Sequence, residues 1–440
     1  MRIKFFCLIS IALLFILICC SMLGGCSVQG IADSMATFVY EHLPKDLERE
    51  IASVPAGVTK DLTEEVLSYE FEGVPWENEE YVVESQDLED IVIPPEEQEM
   101  SEEESSLTSL MEDEKNYCYS LLEVSDKRVY IQIFNSLLQM GQDTVLSSTD
   151  TAQIEKCFNF CMMDHPELFF VDGYRTKLTT SGGIPIRLEF TGRFTCTAEE
   201  RKEKQDEIDE YVSACLSEAP KTDDYAKVKY IFDYLIDKTD YDLEAPDNQN
   251  ISSVFITRKS VCQGYSMATK YLLDKLGVFC TVVYGEAEGV SHAWNLVRMN
   301  GTYCYVDTTW GDASYKSSDT GEVRDNTNYN YLGCNEEILK RTHKIDSPAA
   351  LPECTALTEY FFVKEGLYFE SPDMERLKKL FGEKRQQGAE FFTIRCANDQ
   401  VYDTFDLELF EKQGIFSLLG NELHANFIRD REEDSITFFI

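Results

Sequence analysis

The chain has 440 residues, of which 43% are hydrophobic and 12% aromatic, so at about 150 residues per domain it can build more than one packed core. This composition excludes wholesale disorder and the small disulfide-stabilised scaffolds. With 40 Lys and Arg against 80 Asp and Glu, the net charge of −40 repels phosphate backbones and anionic lipid surfaces. We therefore expect no nucleic-acid partner and no broad electrostatic adhesion to membranes.

The first 25 residues have the pattern of a lipoprotein signal peptide. Basic residues precede an apolar run from Phe5 to Leu23, and Leu23-Gly24-Gly25-Cys26 resembles the bacterial lipobox, in which the Cys is lipidated after cleavage. An uncleaved anchor is an alternative, because about 20 apolar residues span a bilayer. A signal peptide cut without lipidation is another. All three place the chain outside the cytoplasm, and we expect a lipid anchor on Cys26 at a bacterial membrane.

Residues 26–60 follow as a membrane-proximal segment with an amphipathic helix over 31–54. Residues 61–114 contain 21 Asp and Glu and no Lys or Arg. Such a segment cannot bury enough apolar surface to offset the entropy of ordering, and its charges repel one another. It is predicted to be a disordered tether; a tail that binds cations or a partner is the alternative.

An N-terminal α/β region is predicted over 115–220, a catalytic domain over 221–352 and an α+β appendage over 353–440. Apolar spacing indicates helices and strands in the first region and the start of the second. The helices are predicted over 116–140, 151–163, 198–216 and 223–237, and the strands over 168–171 and 184–196, around a glycine turn at 182–183. The appendage reads as strand, helix, strand, helix, strand over 360–369, 373–384, 389–396, 404–411 and 435–440.

Cys262 opens the stretch that carries the chemistry. It precedes a helical pattern over 266–276 that ends at Gly277. A Cys at a helix N-terminus lies at the positive end of the backbone dipole, which favours the nucleophilic thiolate. The amide N–H groups of that first turn also offer an oxyanion site. Eleven Cys residues follow position 26. The ten other than Cys262 are either core residues or disulfide partners, and their spacing does not decide between the two.

A hairpin supplies the partners of Cys262. Two strand patterns, 291–297 and 302–307, flank Asn300-Gly301, the strongest short hairpin signal. In the register of a two-residue loop, Asp307 lies opposite Trp294, so it shares a sheet face with His292 as a diagonal neighbour. Such neighbours lie about 7 Å apart, and a slip of one residue would separate the two onto opposite faces. We therefore predict that Asp307 holds one imidazole nitrogen and leaves the other for the thiol.

These three residues form a predicted triad. Cys262 attacks an acyl carbon, His292 pairs with the thiolate and protonates the leaving amine, and Asp307 fixes the imidazole tautomer. Asp312 is a rival for the third role. Trp294 either flanks the cleft or fills the core.

At these residues the sequence resembles the transglutaminase-like superfamily of papain-related thiol enzymes. The matching segments are Val261–Tyr265, His292–Asn295 and Val306–Asp312, within residues 223–345. The resemblance implies an α+β, papain-like core in which a helix packs on an antiparallel sheet, with Cys262, His292 and Asp307 as its triad. It also implies acyl transfer from amides, as in protein crosslinking, deamidation or peptide hydrolysis. Gln263 leaves open whether a side chain assists the oxyanion site.

Two functions are compatible with these features. The first is a thiol hydrolase or acyltransferase that acts on peptide or protein amides near the cell wall. The second is a catalytically silent envelope scaffold that binds peptides in the same cleft. Nothing resembles the calcium sites of animal crosslinking enzymes, so neither a metal nor a cofactor is predicted.

Overall fold

The computed structural model describes residues 58–59, 76–84, 102–317, 323–419 and 426–440. The predicted signal peptide, Cys26 and the amphipathic helix over 31–54 lie outside the described residues. Within the described ranges, no helix combines the length and apolarity needed to cross a bilayer.

Thirteen α-helices are described in these ranges. They are α1 (Glu102–Met111), α2 (Tyr117–Ser120), α3 (Val124–Leu138), α4 (Thr151–Asp164), α5 (Ala198–Glu218), α6 (Asp224–Lys238), α7 (Cys262–Lys275), α8 (Thr308–Gly311), α9 (Glu336–Leu339), α10 (Phe361–Lys364), α11 (Met374–Gln386), α12 (Asp399–Asp406) and α13 (Phe416–Leu419).

The strands of the same ranges form several small sheets. They are β1 (Val58–Thr59), β2 (Glu77–Glu84), β3 (Thr144–Val145), β4 (Val171–Ser181), β5 (Ile184–Phe194), β6 (Asp240–Tyr241), β7 (Lys259–Ser260), β8 (Cys280–Ala287), β9 (Val290–Met299), β10 (Thr302–Val306), β11 (Asp312–Ser317), β12 (Val323–Thr327), β13 (Leu332–Cys334), β14 (His343–Ile345), β15 (Tyr368–Phe369), β16 (Phe391–Cys396), β17 (Asn426–Asp430) and β18 (Ser435–Phe439).

The central layer is an antiparallel sheet in the order β13-β10-β9-β8-β14, and α7 packs against β8 and β9. The Asn295 side-chain amide on β9 donates to the Ser266 carbonyl of α7 at 3.0 Å. Leu272 on the helix and Val282 and Leu296 on the sheet are completely buried, and each such side chain contributes about 1.5–3 kcal/mol. The predicted α+β fold with a helix on an antiparallel sheet is confirmed.

The N-terminal region differs from the prediction in two places. The helix predicted over 116–140 is two helices, α2 and α3, because the chain is extended at Glu123. The buried Asp164 carboxylate holds the start of α2 by accepting the backbone N–H groups of Cys118 and Tyr119 at 2.9 and 2.8 Å. The strand predicted over 168–171 is wrong over most of its length. Pro166–Leu168 forms a 3₁₀ turn, and β4 begins only at Val171.

Two elements lie inside the segment predicted as a disordered tether. Strand β2 pairs in parallel with β4, and α1 is anchored where Glu104 accepts the Gln132 side-chain amide at 2.7 Å. The tether prediction is therefore wrong at residues 77–84 and 102–111, where β-sheet pairing and contacts to α3 compensate for the acidic composition. Residues 61–75 and 85–101 lie outside the described part.

The appendage contains a four-stranded sheet in the order β15-β16-β18-β17. The predicted helix over 373–384 and the strands over 389–396 and 435–440 correspond to α11, β16 and β18. The strand predicted over 360–369 is wrong in its first half, which is α10. Phe361 stacks on Tyr329 with ring centroids 3.9 Å apart, and the neighbouring Phe362 is fully buried. A helical turn allows both side chains to be packed in this way.

The eleven cysteines between Cys118 and Cys396 are all free thiols. Nine of them are buried, and Cys196 and Cys262 are partly exposed. The cysteines whose pairing the sequence left open are therefore unpaired in the fold.

Candidate active site

Cys262 is the first residue of α7, as the sequence predicted. Val261 precedes it in an extended conformation and provides no side-chain cap for the helix. The chain folds back tightly here, since the Ser260 hydroxyl donates to the Asn248 carbonyl at 2.8 Å. A Cβ atom on Gly264 would lie 1.9 Å from the Ser260 Oγ and 3.0 Å from the Asn248 oxygen. Only glycine lets the loop approach the first turn this closely, which places the sulfur at an uncapped helix N-terminus.

The hairpin that carries His292 has the predicted register. Asn300 and Gly301 form its loop with φ values of 50° and 86°, as a two-residue primed turn requires, and Val306 pairs with Asn295. The predicted strand extended to 307, but β10 ends at Val306. Asp307 instead occupies the N-cap of α8, where its side chain accepts the Trp310 backbone N–H at 3.1 Å. Capping fixes the carboxylate more firmly than a strand position would.

The structure brings the predicted triad together. His292 Nε2 lies 2.7 Å from Asp307 Oδ2, and the two side chains are 8% and 1% exposed. The Cys262 thiol lies close enough to the same imidazole to raise the pKa of His292. Because Nε2 faces the carboxylate, Nδ1 is the nitrogen left for the sulfur.

The electrostatics of this arrangement favour a charged imidazole. Burial by itself would lower the pKa of His292, but the charge and hydrogen bond of Asp307, together with Cys262, raise that pKa to about 10. Burial would likewise raise the pKa of Asp307, yet His292 and His343 hold that pKa well below its usual range. A protonated imidazole between a carboxylate and a thiol is the arrangement that a thiolate–imidazolium pair needs.

His343 is a site residue that the sequence reasoning missed. Its Nε2 lies 3.1 Å from Asp307 Oδ2, and its side chain is completely buried. Strand β14 pairs with β8 so that His343 lies opposite Ala287, while His292 lies opposite Gly285. Residues two apart on one strand share a face, so both histidines lie on the same face of the sheet. Thr342-His343 carries no local signal for this contact.

Aromatic rings surround the two histidines. Trp294 stacks on His292 with centroids 5.9 Å apart and contacts His343 edge-on at 5.0 Å. Trp310 lies 4.8 Å from His343. At 1% exposure, Trp294 fills the core, where its ring also packs on the His292 imidazole.

The rival carboxylate lies elsewhere. Asp312 Oδ2 is 2.9 Å from the Tyr265 hydroxyl, which is also 2.6 Å from the Thr239 carbonyl. Gln263, whose role was open, is 2% exposed and donates its side-chain amide to the Tyr284 hydroxyl at 2.9 Å. Its amide N–H is therefore engaged by a core hydroxyl.

One cluster among the described residues has donor atoms close enough for a metal ion. The ligand atoms of His292, Asp307 and His343 all lie within 4.8 Å of one another. The Asp307 carboxylate already accepts from both imidazoles and from the Trp310 backbone. Hydrogen bonds thus account for the cluster, and the absence of a metal stays a prediction.

Comparison with known proteins identifies this region. Residues 195–308 match the family model of the Transglutaminase-like superfamily. Kyphoscoliosis peptidase from Mus musculus is 29% identical over 121 residues, and the Homo sapiens protein matches equally. Each match covers 24% of this chain and 18% of the relative, so the chain spans less than a fifth of those proteins.

Two solved structures overlap with part of the fold. A crystal structure of a TGase covers 31% of this chain and 50% of its own at 17% identity, with a TM-score of 0.23. The periplasmic domain of TgpA from Pseudomonas aeruginosa covers 29% of this chain and 58% of its own at 18% identity, with a TM-score of 0.19. The family match itself contains Cys262, His292 and Asp307. The resemblance to the transglutaminase-like superfamily that the sequence motifs predicted is therefore confirmed over residues 195–308.

Proposed function

We propose that the chain is a thiol enzyme that transfers acyl groups from peptide or protein amides through a Cys–His–Asp triad. The observation that carries the proposal is the 2.7 Å contact of His292 with Asp307, made by an imidazole whose pKa the Cys262 thiol also raises. The uncapped start of α7 adds backbone N–H donors beside the sulfur, where a tetrahedral oxyanion would form.

The reaction follows from these positions. The Cys262 thiolate attacks the acyl carbon, and the first-turn N–H groups stabilise the oxyanion. His292 then donates its Nδ1 proton to the leaving amine as the C–N bond breaks, which leaves a thioester. Water or an amine gives a proton to His292 and attacks the thioester, and Cys262 leaves as the thiolate. Water completes a peptidase or deamidase reaction, and an amine completes a transamidation.

Alkylation of the intact chain tests the proposal. We expect iodoacetamide at pH 5.5 to modify Cys262 at least about tenfold faster than Cys196, because an imidazolium partner and a helix N-terminus favour the nucleophilic thiolate. Cys196 is the internal reference, since it is also partly exposed and burial raises its pKa. Mass spectrometry of the cysteine peptides gives both rates in one sample.

The control is Cys262→Ala, which removes the fast site and leaves Cys196 unchanged. An N-acyl peptide p-nitrophenyl ester should then leave its acyl group on Cys262 of the unmodified chain after acid quench. Equal rates for the two cysteines below neutral pH would sink the enzymatic proposal and favour a peptide-binding scaffold.

We also propose that the enzyme is lipid-anchored through Cys26 outside the cytoplasm. The support is the Leu23–Cys26 motif and the net charge of −40, which opposes electrostatic binding to anionic lipid. In a bacterial host fed an alkynyl fatty acid, the full chain should carry the label and sediment with membranes, whereas Cys26→Ser should lose the label. Labelling that persists in Cys26→Ser would contradict this assignment.

A further inference from the structure

A line of side-chain hydrogen bonds, buried at both ends and partly buried at Thr342, leads from the proposed triad into the appendage. His343 Nδ1 lies 2.8 Å from Thr342 Oγ1, which lies 2.8 Å from the Tyr331 hydroxyl. That hydroxyl bonds Glu433, which belongs to the loop between β17 and β18. Tyr331 and Glu433 are 0% and 4% exposed. The catalytic carboxylate is thus connected by side chains alone to residues about 125 positions further along the chain.

Arg395 closes the far end of this line. Its guanidinium is 1% exposed and donates to Glu433 Oε2 at 2.7 Å and to the Asn330 side-chain oxygen at 3.1 Å. A buried arginine stays charged and favours the ionised form of a carboxylate in contact with it.

Proton counting shows what this line does to His343. The contacts from Asp307 to His343, then Thr342, Tyr331 and Glu433 are four hydrogen bonds in series, and each needs one proton. A neutral His343, the threonine and the tyrosine supply three. The fourth proton belongs on Asp307, on Glu433 or on His343. The contact with His292 disfavours it on Asp307, and Arg395 disfavours it on Glu433. A fully satisfied line therefore holds His343 as an imidazolium.

We propose that Glu433 and Arg395 are positioning residues for the active site, which keep His343 protonated so that Asp307 is shared between two imidazolium ions. This inference rests on the proposed function of the triad and assigns the appendage a role in it. A second positive charge on Asp307 weakens its hold on His292 and adds positive potential near the sulfur. Both effects move the ionisation of the thiol–imidazole pair toward acid.

The substitutions that test this proposal leave the other titratable groups around His343 unchanged. His292 and Asp307 face it from β9 and the N-cap of α8, and the buried Cys334 thiol lies near both Asp307 and Glu433. Burial and Glu433 raise the pKa of Tyr331 well above its usual range, so Tyr331 stays a neutral donor. A cavity of about 540 Å³ borders His343 on its other side and is also lined by charged residues of α9 and β14, namely Glu336, Lys340 and Lys344.

The test is the pH profile of Cys262 alkylation in Glu433→Gln. A glutamine donates its side-chain amide to Tyr331, and the line is then satisfied with a neutral His343. The profile has two limbs, the rise of the alkylation rate on the acid side and its change on the alkaline side. We expect both limbs to move toward alkaline pH by about one unit. The same substitution in a His343→Gln background should move neither limb further, because the residue that transmits the effect is gone.

Asp434→Asn is the matched control. Asp434 adjoins Glu433, is equally buried and pairs with Arg341 and Arg431, but it lies outside the line. It should lower stability and leave both limbs in place. A merely structural role of the appendage predicts equal profiles for Glu433→Gln and Asp434→Asn, and that result overturns the proposal.

A measurement on the unmodified chain covers the case in which Glu433→Gln fails to fold. With ¹³C-labelled histidine, the ring shifts of His343, assigned by comparison with His343→Gln, should report an imidazolium at pH 7. A neutral ring overturns the proposal. Because this readout is independent of thiol reactivity, it separates failure of this inference from failure of the proposed enzymatic function.

Discussion

Replacement of Asp307 by Asn is expected to slow the acid-range alkylation of Cys262 by about 10- to 1000-fold. The carboxylate accepts from His292 and His343 through Oδ2 and from the Trp310 backbone through Oδ1. An asparagine has one acceptor oxygen, so it satisfies either the imidazoles or the helix N-terminus. Loss of an adjacent opposite charge shifts a pKa by about 1–3 units, which reduces the thiolate–imidazolium population at pH 5.5 correspondingly.

The same substitution changes how stability depends on pH. The pKa of His292 is raised from 6.5 to about 10, so its pairing stabilises the folded chain fully below pH 6.5, and this stabilisation is lost as the pH rises through about 10. The pKa of Asp307 is lowered from 3.8, so its contribution is complete only above that value. Urea unfolding should show the largest difference between wild type and Asp307→Asn between about pH 4 and 6.5.

Asp312→Asn is the control for this prediction. It removes a carboxylate five residues away that contacts Tyr265 and not the imidazole. Its alkylation profile should match that of the wild type. If Asp312→Asn slows Cys262 and Asp307→Asn does not, the assignment of the third triad residue is wrong.

The sequence was sufficient to place His292 beside Asp307 because the geometry of a hairpin is local. Asn300-Gly301 determines the register of the hairpin, and the register determines which side chains share a face. Asp307 was predicted to lie in a strand but lies at the N-cap of α8. Its contact with His292 is unaffected, because the N-cap lies where the next strand position would be and keeps the carboxylate within 2.7 Å of His292.

His343 could not be predicted in the same way. It reaches the site because the three-residue strand β14 pairs with β8 about 57 positions earlier, and nothing in the intervening sequence specifies that pairing. Glu433 and Arg395 depend on still longer contacts between the appendage and the catalytic domain. Similarly, α10 was predicted as a strand because Phe361 and Phe362 favour strands locally, whereas stacking on Tyr329 selects the helical turn.

The largest effect on stability is expected from a second buried charge, on the helix that carries Cys262. Lys270 is completely buried on α7 and donates to Asp274 at 2.9 Å and to the carbonyls of Lys115 and Cys280 at 2.8 and 3.1 Å. The Lys115 contact ties the segment between α1 and α2 to α7. Removal of one member of a buried ion pair typically costs about 3–5 kcal/mol, and Lys270→Met should lower the free energy of unfolding by that amount at pH 8.

The pH dependence distinguishes this mechanism from simple loss of packing. Burial raises the pKa of Asp274 to about 6 even beside the lysine, and without the lysine that pKa rises further. Between the unfolded and folded values, the folded chain binds a proton that the unfolded chain does not, so the variant loses stability as the pH rises. The deficit should therefore be larger at pH 8 than at pH 5.

Lys275→Met supplies the matched comparison, because it makes the same change on the same helix at an exposed position over the Tyr271 ring. Its cost should stay below about 1 kcal/mol and should not depend on pH over this range. Urea titrations of both variants at pH 5 and pH 8 measure the four free energies. An equal deficit for Lys270→Met at the two pH values would mean that the uncompensated Asp274 charge is not the cause, and the role of Lys270 would then reduce to filling space beneath the catalytic helix.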